Sequence, residues 1–237
     1  MGAFMRNLIV SLALAVFGTT AVAGEDAPLI VVELYTSEGC SSCPPADKIL
    51  TKLATRDNIL ALAMHVDYWD YLGWKDQFSM SKFTDRQEYY NTVLGSRYRL
   101  VTPQMFFQGQ SYVAGAKLKK IEAQLKKLGQ QADKVLLNVE KQSGGFQISI
   151  NPSDDAIPIA DVFVVQYKPN YVTEVKAGEN RGLTLEHTNI VTSWERVGEW
   201  NGQQGWVLEQ SVDEGAHTAV IVQAPDHGPI LAARILR

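Results

Sequence analysis

Val31-Val32-Glu33-Leu34-Tyr35-Thr36-Ser37-Glu38-Gly39-Cys40-Ser41-Ser42-Cys43-Pro44-Pro45-Ala46-Asp47 joins an apolar run, a sharp turn and a pair of cysteines, and the rest of the chain is organised around it. A β-branched apolar run, which predicts a strand over Leu29–Tyr35, breaks at Ser37–Gly39 and hands the chain to the start of a helix. That helix, carried by Ile49, Leu50 and Leu53, is expected to run to about Thr55. Its first turn is expected to carry Cys40 and Cys43, the only two cysteines of the chain. Two cysteines at this spacing, after a strand and opening a helix, point to thiol–disulfide exchange. Unpaired N–H groups and the positive end of the helix stabilise a thiolate. Cys40 is therefore read as the attacking sulfur and Cys43 as the resolving one, with Glu38 opposing the acidification. Two other readings stay open. One is a structural disulfide, although closing so short a loop is worth only about 2 kcal/mol. The other is half of a metal site, although zinc sites normally take about four ligands and no second cysteine pair exists.

The N-terminus bounds where this chemistry takes place. Arg6, an apolar run from Leu8 to Phe17 and Ala21-Val22-Ala23 have the order of a secretory signal peptide. Residues 1–23 are thus expected to be removed after Ala23, giving a periplasmic or secreted product with no membrane span. An oxidising compartment lets a cysteine pair rest as a disulfide. The 237-residue chain carries a formal charge of −4. That mild acidity argues against a nucleic-acid partner. His65, His187, His217 and His227 are scattered singly and read as ordinary histidines.

Downstream, Ile59–Val66 reads as a second buried strand. It runs into His65-Val66-Asp67-Tyr68-Trp69-Asp70-Tyr71-Leu72-Gly73-Trp74-Lys75-Asp76, where aromatics and acids crowd a strand end. Ligands gather at such ends in open α/β sheets. Asp67, Tyr68 and Trp69 are therefore candidate substrate-binding residues, the alternative being rings that only seal the loop. Glu33 either relays a proton beneath the cysteines or turns outward to a surface cation. Ser79–Leu94 reads as an exposed helix stopped by Gly95. Gln104–Phe107 and Ser111–Val113 form a hairpin after Thr102-Pro103, and Leu118, Ile121, Leu125 and Leu128 mark a further helix.

Past Asp133 the pattern changes to short alternating runs: Lys134–Glu140, Phe146–Ile150, Ala160–Tyr167, Asn189–Trp200, Gly205–Leu208, His217–Gln223 and Ile230–Leu236. Turn dipeptides such as Asn201-Gly202 separate them, which predicts a mostly antiparallel sandwich-like domain over 133–237. Gly178–Gly182 reads as a solvent loop, its alternative being an approach to the cysteine site.

The order of strand, Cys-x-x-Cys helix, strand, crossover, Thr-Pro, hairpin and terminal helix over residues 24–132 resembles the thioredoxin-like superfamily. With Cys40-Ser-Ser-Cys43-Pro-Pro-Ala-Asp47, the chain also resembles an uncharacterised secreted bacterial family with an N-terminal domain of that kind. The resemblance implies an α/β thioredoxin-like domain followed by the β domain. It also implies that Thr102 and a cis Pro103 pack against the disulfide and hold the backbone of a substrate. The expected activity is an exported thiol–disulfide oxidoreductase acting on protein or small thiol and disulfide substrates. It needs no bound cofactor or metal, and its redox partner is unidentified. A non-enzymatic secreted binding module, or a chaperone holding a soft metal on Cys40 and Cys43, is the alternative.

Overall fold

The computed structural model describes residues 28–153, 159–211 and 217–236, so the expected signal peptide lies outside the described residues. Within them the chain runs through strand β1 (Ile30–Thr36), helix α1 (Pro44–Leu53), β2 (Ile59–His65), α2 (Ser81–Val93), β3 (Gln104–Phe107), β4 (Ser111–Ala114) and α3 (Leu118–Leu128). There follow β5 (Val135–Gln142), β6 (Gly145–Pro152), β7 (Ala160–Glu174), β8 (Thr184–Trp200), β9 (Trp206–Gln210), β10 (His217–Gln223) and β11 (Ile230–Leu236).

The way the strands join corrects the expected fold class. Strands from both halves form one mixed eight-stranded sheet, ordered β11-β10-β7-β8-β2-β1-β3-β4, and β5-β6-β9 form a small second sheet. The protein is thus mostly β, and a thioredoxin-like α/β domain followed by a separate β-sandwich is not what it builds. The physical reason lies in β2. All seven of its residues are buried, so its outer edge needs cover. The parallel pairing of Ala63 with Ile190 supplies that cover from β8. Asn189 adds to it by donating from Nδ2 to the Ala61 carbonyl at 2.8 Å. β7 and β8 also extend well beyond the runs visible in sequence, pairing from Ala160↔Trp200 to Glu174↔Thr184.

Side-chain alternation along β1 builds two cores. Val32 and Leu34 meet Leu50 and Leu53 of α1 and Ile121 of α3. Val31 and Tyr35 face the other way, toward Phe83 and Tyr90 of α2. The small sheet packs Leu137, Phe146 and Ile148 onto Val162, Val220 and Trp200 in a third core.

Glu33 also lies on the α2 side, across the sheet from α1, and neither of its two anticipated roles holds. Its carboxylate takes a bidentate pair from Arg86 at 2.8 and 2.9 Å, with both side chains buried. Tyr35 and Tyr90 donate their hydroxyls to the same carboxylate at 3.0 and 2.9 Å. Burial alone pushes both phenols up, and the Glu33 charge beside them adds to the rise for each. The Arg86 guanidinium also donates to Gln223 of β10 at 3.0 Å and lies 4.1 Å from the Trp194 ring of β8. α2 is therefore not the exposed helix its polarity suggested. Its buried face carries Arg86, Gln87 and Asn91 beside Phe83 and Tyr90.

A buried charge left without its partner costs about 3–5 kcal/mol, so Glu33→Ala is expected to lower unfolding stability by that order in urea titrations. Arg56→Ala, which breaks the exposed pair with Glu122 at 2.6 Å, is expected to cost less than about 1 kcal/mol. Equal losses from the two substitutions would refute the anchoring role of Glu33.

Candidate functional site

Cys40 and Cys43 are joined in a disulfide with Cα atoms 5.5 Å apart, and neither cysteine has exposed surface. α1 begins at Pro44, one turn later than expected, because proline at the first helical positions has no N–H to lose. Cys43 is the N-cap, and its carbonyl accepts from the N–H groups of Ala46 and Asp47 at 2.8 and 3.1 Å. Cys40 stands in the preceding turn, with its N–H on the Ser37 carbonyl and its carbonyl receiving the Cys43 N–H. Ser42 is exposed, and its hydroxyl lies 3.4 Å from Cys40 Sγ and 3.4 Å from the Thr102 carbonyl.

Thr102 links the second flank of the site. Its Oγ1 accepts from Trp69 Nε1 at 2.7 Å, and the Thr102–Pro103 peptide is cis. A Cβ at Gly39 would come within 3.1 Å of Trp69 Cβ, which shows how closely residue 69 packs on the cysteine turn. Thr102 and Trp69 thus reach the cysteine turn, at Ser42 and Gly39 respectively, and Pro103 follows Thr102 in the chain. Asp67 turns toward α2 instead, and Tyr68 stands between α2 and Thr102. Thr84 donates its hydroxyl to Asp67 Oδ1 at 2.6 Å, and Tyr68 donates its own to Gln87 Oε1 at 3.2 Å. Gln87 in turn donates to the Val101 carbonyl at 2.7 Å, so α2 holds the segment that leads to Thr102.

Beneath the turn lies a buried cluster that single-residue reading missed. The Glu38 side chain accepts from Trp74 Nε1 at 2.7 Å and faces His187 Nε2 at 3.3 Å. Asp76 Oδ2 accepts from the Glu38 N–H at 2.9 Å and lies 2.7 Å from His65 Nδ1. The rings of His65 and His187 sit 5.0 Å apart, so two of the four scattered histidines meet here. Burial disfavours the charge on both members of the His65–Asp76 pair, yet their mutual attraction outweighs it. The His65 pKa ends above its ordinary value and that of Asp76 below. Among the described residues no group of three or more His, Cys, Asp or Glu is arranged to hold a metal ion.

Two further site residues come from the loop between β7 and β8. Asn180 donates from Nδ2 to the carbonyls of Glu38 and Cys40 at 2.8 and 3.0 Å. Glu179 Oε2 accepts from the N–H and hydroxyl of Ser41 at 3.1 and 2.7 Å. The reading of Gly178–Gly182 as a solvent loop is therefore corrected. The only signal for it in the sequence was its polarity, shared by every turn in that half of the chain.

On α1 the Asp47 carboxyl accepts from Thr36 Oγ1 at 2.9 Å, and burial pushes its pKa up to about 6 against the pull of His65 and Thr36. A carboxyl with a raised folded pKa holds its proton more tightly in the folded chain. Its contribution to stability is full below the unfolded value of about 4 and is lost as pH climbs through about 6. Asp47→Asn is expected to gain stability relative to wild type over that window, read as urea midpoints from acid to neutral pH. A difference that stays flat with pH would refute the raised pKa.

A family model described as a protein of unknown function, DUF1223, matches residues 31–223. It runs through both halves of the chain and replaces the expected assignment of the first half to the thioredoxin-like superfamily. No curated protein matches the chain. Among solved structures, protein AGR_C_4864 from Agrobacterium tumefaciens is 30% identical with a TM-score of 0.76, covering 89% of this chain and 94% of that one. HBP35 of Porphyromonas gingivalis is 14% identical with a TM-score of 0.62, over 89% of this chain and 75% of that one, a likeness of fold alone.

Proposed function

The chain belongs to the DUF1223 family, whose function is unknown, and from the geometry of its cysteine turn we propose that it is an exported thiol–disulfide oxidoreductase. One observation carries the reading. The disulfide closes at the mouth of α1, with the Ser42 hydroxyl 3.4 Å from Cys40 Sγ. Donation from that hydroxyl and the positive end of α1 both favour a thiolate when the bond opens.

In the oxidised chain, a substrate thiolate attacks Cys40 Sγ. The new S–S bond forms as the Cys40–Cys43 bond breaks, and Cys43 leaves as a thiolate. A second substrate thiolate then attacks the substrate sulfur of the mixed disulfide and expels Cys40. The substrate gains a disulfide, and the two electrons it gives up stay on the two cysteines. In reverse, the Cys40 thiolate attacks a substrate disulfide and Cys43 resolves the mixed disulfide, so the substrate is reduced. Thr102, Pro103 and Trp69 border the turn and are proposed to contact the substrate. Asp67 and Tyr68 brace that wall from behind.

A second reading has its own support. Complete burial of both cysteines favours an inert disulfide in a secreted binding module. Equilibration in glutathione buffers, with free thiols trapped by alkylation, separates the two. A midpoint between about −120 and −270 mV supports catalysis, and one below about −300 mV marks a structural bond. In the catalytic case Cys40→Ala is expected to abolish exchange and Cys43→Ala to accumulate mixed disulfides. Retained turnover in the Cys40 variant would sink the proposal.

A further inference from the structure

The loop between β7 and β8 raises a question that the exchange chemistry leaves open, since a sulfur with no exposed surface cannot be attacked. Asn180, itself 2% exposed, lies against the cysteine turn. Its amide supplies two N–H donors to the Glu38 and Cys40 carbonyls, and the neighbouring Glu179 supplies an acceptor to the Ser41 N–H. Gly178, at φ +73°, brings the loop so close to Trp74 that an added Cβ would sit 3.3 Å from that side chain. The backbone of residues 38–41 is therefore paired by the donors and acceptor that an extended peptide would offer it.

We propose that this loop occupies the docking place of a peptide backbone, so that Asn180 and Glu179 set specificity and admit peptide-borne cysteines over small free thiols. The proposal rests on the thiol–disulfide reading. Withdrawal of the loop leaves the buried Glu38 carbonyl unpaired and the Cys40 carbonyl with the Cys43 N–H alone, which is unfavourable unless the incoming molecule replaces those bonds. A peptide carries N–H and C=O groups on both sides of its cysteine and can replace them. A small thiol cannot, and reaches Cys40 only in the fraction of molecules whose loop has already opened. In the step itself the incoming thiolate bonds to Cys40 Sγ, the Cys40–Cys43 bond breaks, and Cys43 leaves as a thiolate.

The test follows opening of the disulfide in the full chain by alkylation of released thiols. It compares a decapeptide with a central cysteine against 2-mercaptoethanol, both rates expressed per thiolate. The peptide is expected to react at least about tenfold faster with wild type. Asn180→Ala is expected to raise the mercaptoethanol rate about tenfold and bring the two rates together. Glu179→Gln, an exposed change that keeps the fold, is expected to act in the same direction more weakly and decides the matter if the Asn180 variant fails to fold. Faster opening that stays flat in sub-denaturing urea reports local release of the loop. Equal peptide and mercaptoethanol rates in wild type, unchanged rates in the variants, or a urea slope matching global unfolding would each overturn the proposal. Selective opening without catalytic turnover would instead defeat the oxidoreductase reading and leave this one standing.

Discussion

The buried pair of Glu33 and Arg86 is the interaction on which the arrangement of elements depends. It is the meeting point of β1, α2, β10 and, through the Trp194 ring, β8. A guanidinium with so little exposed surface is tolerable only when its donors are satisfied, and two tyrosine hydroxyls and Gln223 complete the set around the pair. Such a network discriminates among packings, because a shift of any one element leaves a charge or a polar group unpaired. By holding α2 against β1, it also fixes the helix whose Gln87 and Asn91 steady the segment leading to Thr102.

From that frame the site follows. β8 cannot lie beside β2 without carrying its neighbouring residues over α1, and Thr188 meets Thr51 of that helix at 2.9 Å. One residue earlier, His187 drops into the cluster beneath the cysteine turn, and the loop before β8 lands on the turn itself. The same pairing that covers the apolar edge of β2 therefore brings the β7–β8 loop onto the cysteine turn.

Much of this was legible in the residues. The presence of β1 and β2 to within a residue at each end, the hairpin of β3 and β4, and the seven later strands followed from alternation and turn residues, which are local properties. Which edges those strands sought was not local. A run such as Ile59–His65 records that it is buried, but does not record its neighbour. The polar face of α2 gave the opposite signal to its burial, because Arg86, Gln87 and Asn91 are satisfied by partners far away in sequence. Likewise His65 and His187, more than a hundred residues apart, looked solitary until the fold joined them. The cysteine pair announced itself, while Asn180 and Glu179 shared their chemistry with every other polar turn.

The chemistry beneath the turn bears on how the cysteines behave. Glu38 stands two residues before Cys40, where an uncompensated carboxylate would oppose a thiolate. The fold turns that carboxylate onto Trp74 and His187, and sets His65 against Asp76. Asp76 is paired with the His65 imidazole and Glu38 accepts the Trp74 N–H, so both carboxylates of the cluster are held by partners beneath the turn. What remains to act on Cys40 is close at hand. The Ser42 hydroxyl and the start of α1 favour a thiolate, while Glu179, held on the Ser41 N–H, opposes one for as long as the loop stays down. Opening of the loop would remove that anion at the moment it uncovers the sulfur, so access and reactivity would rise together.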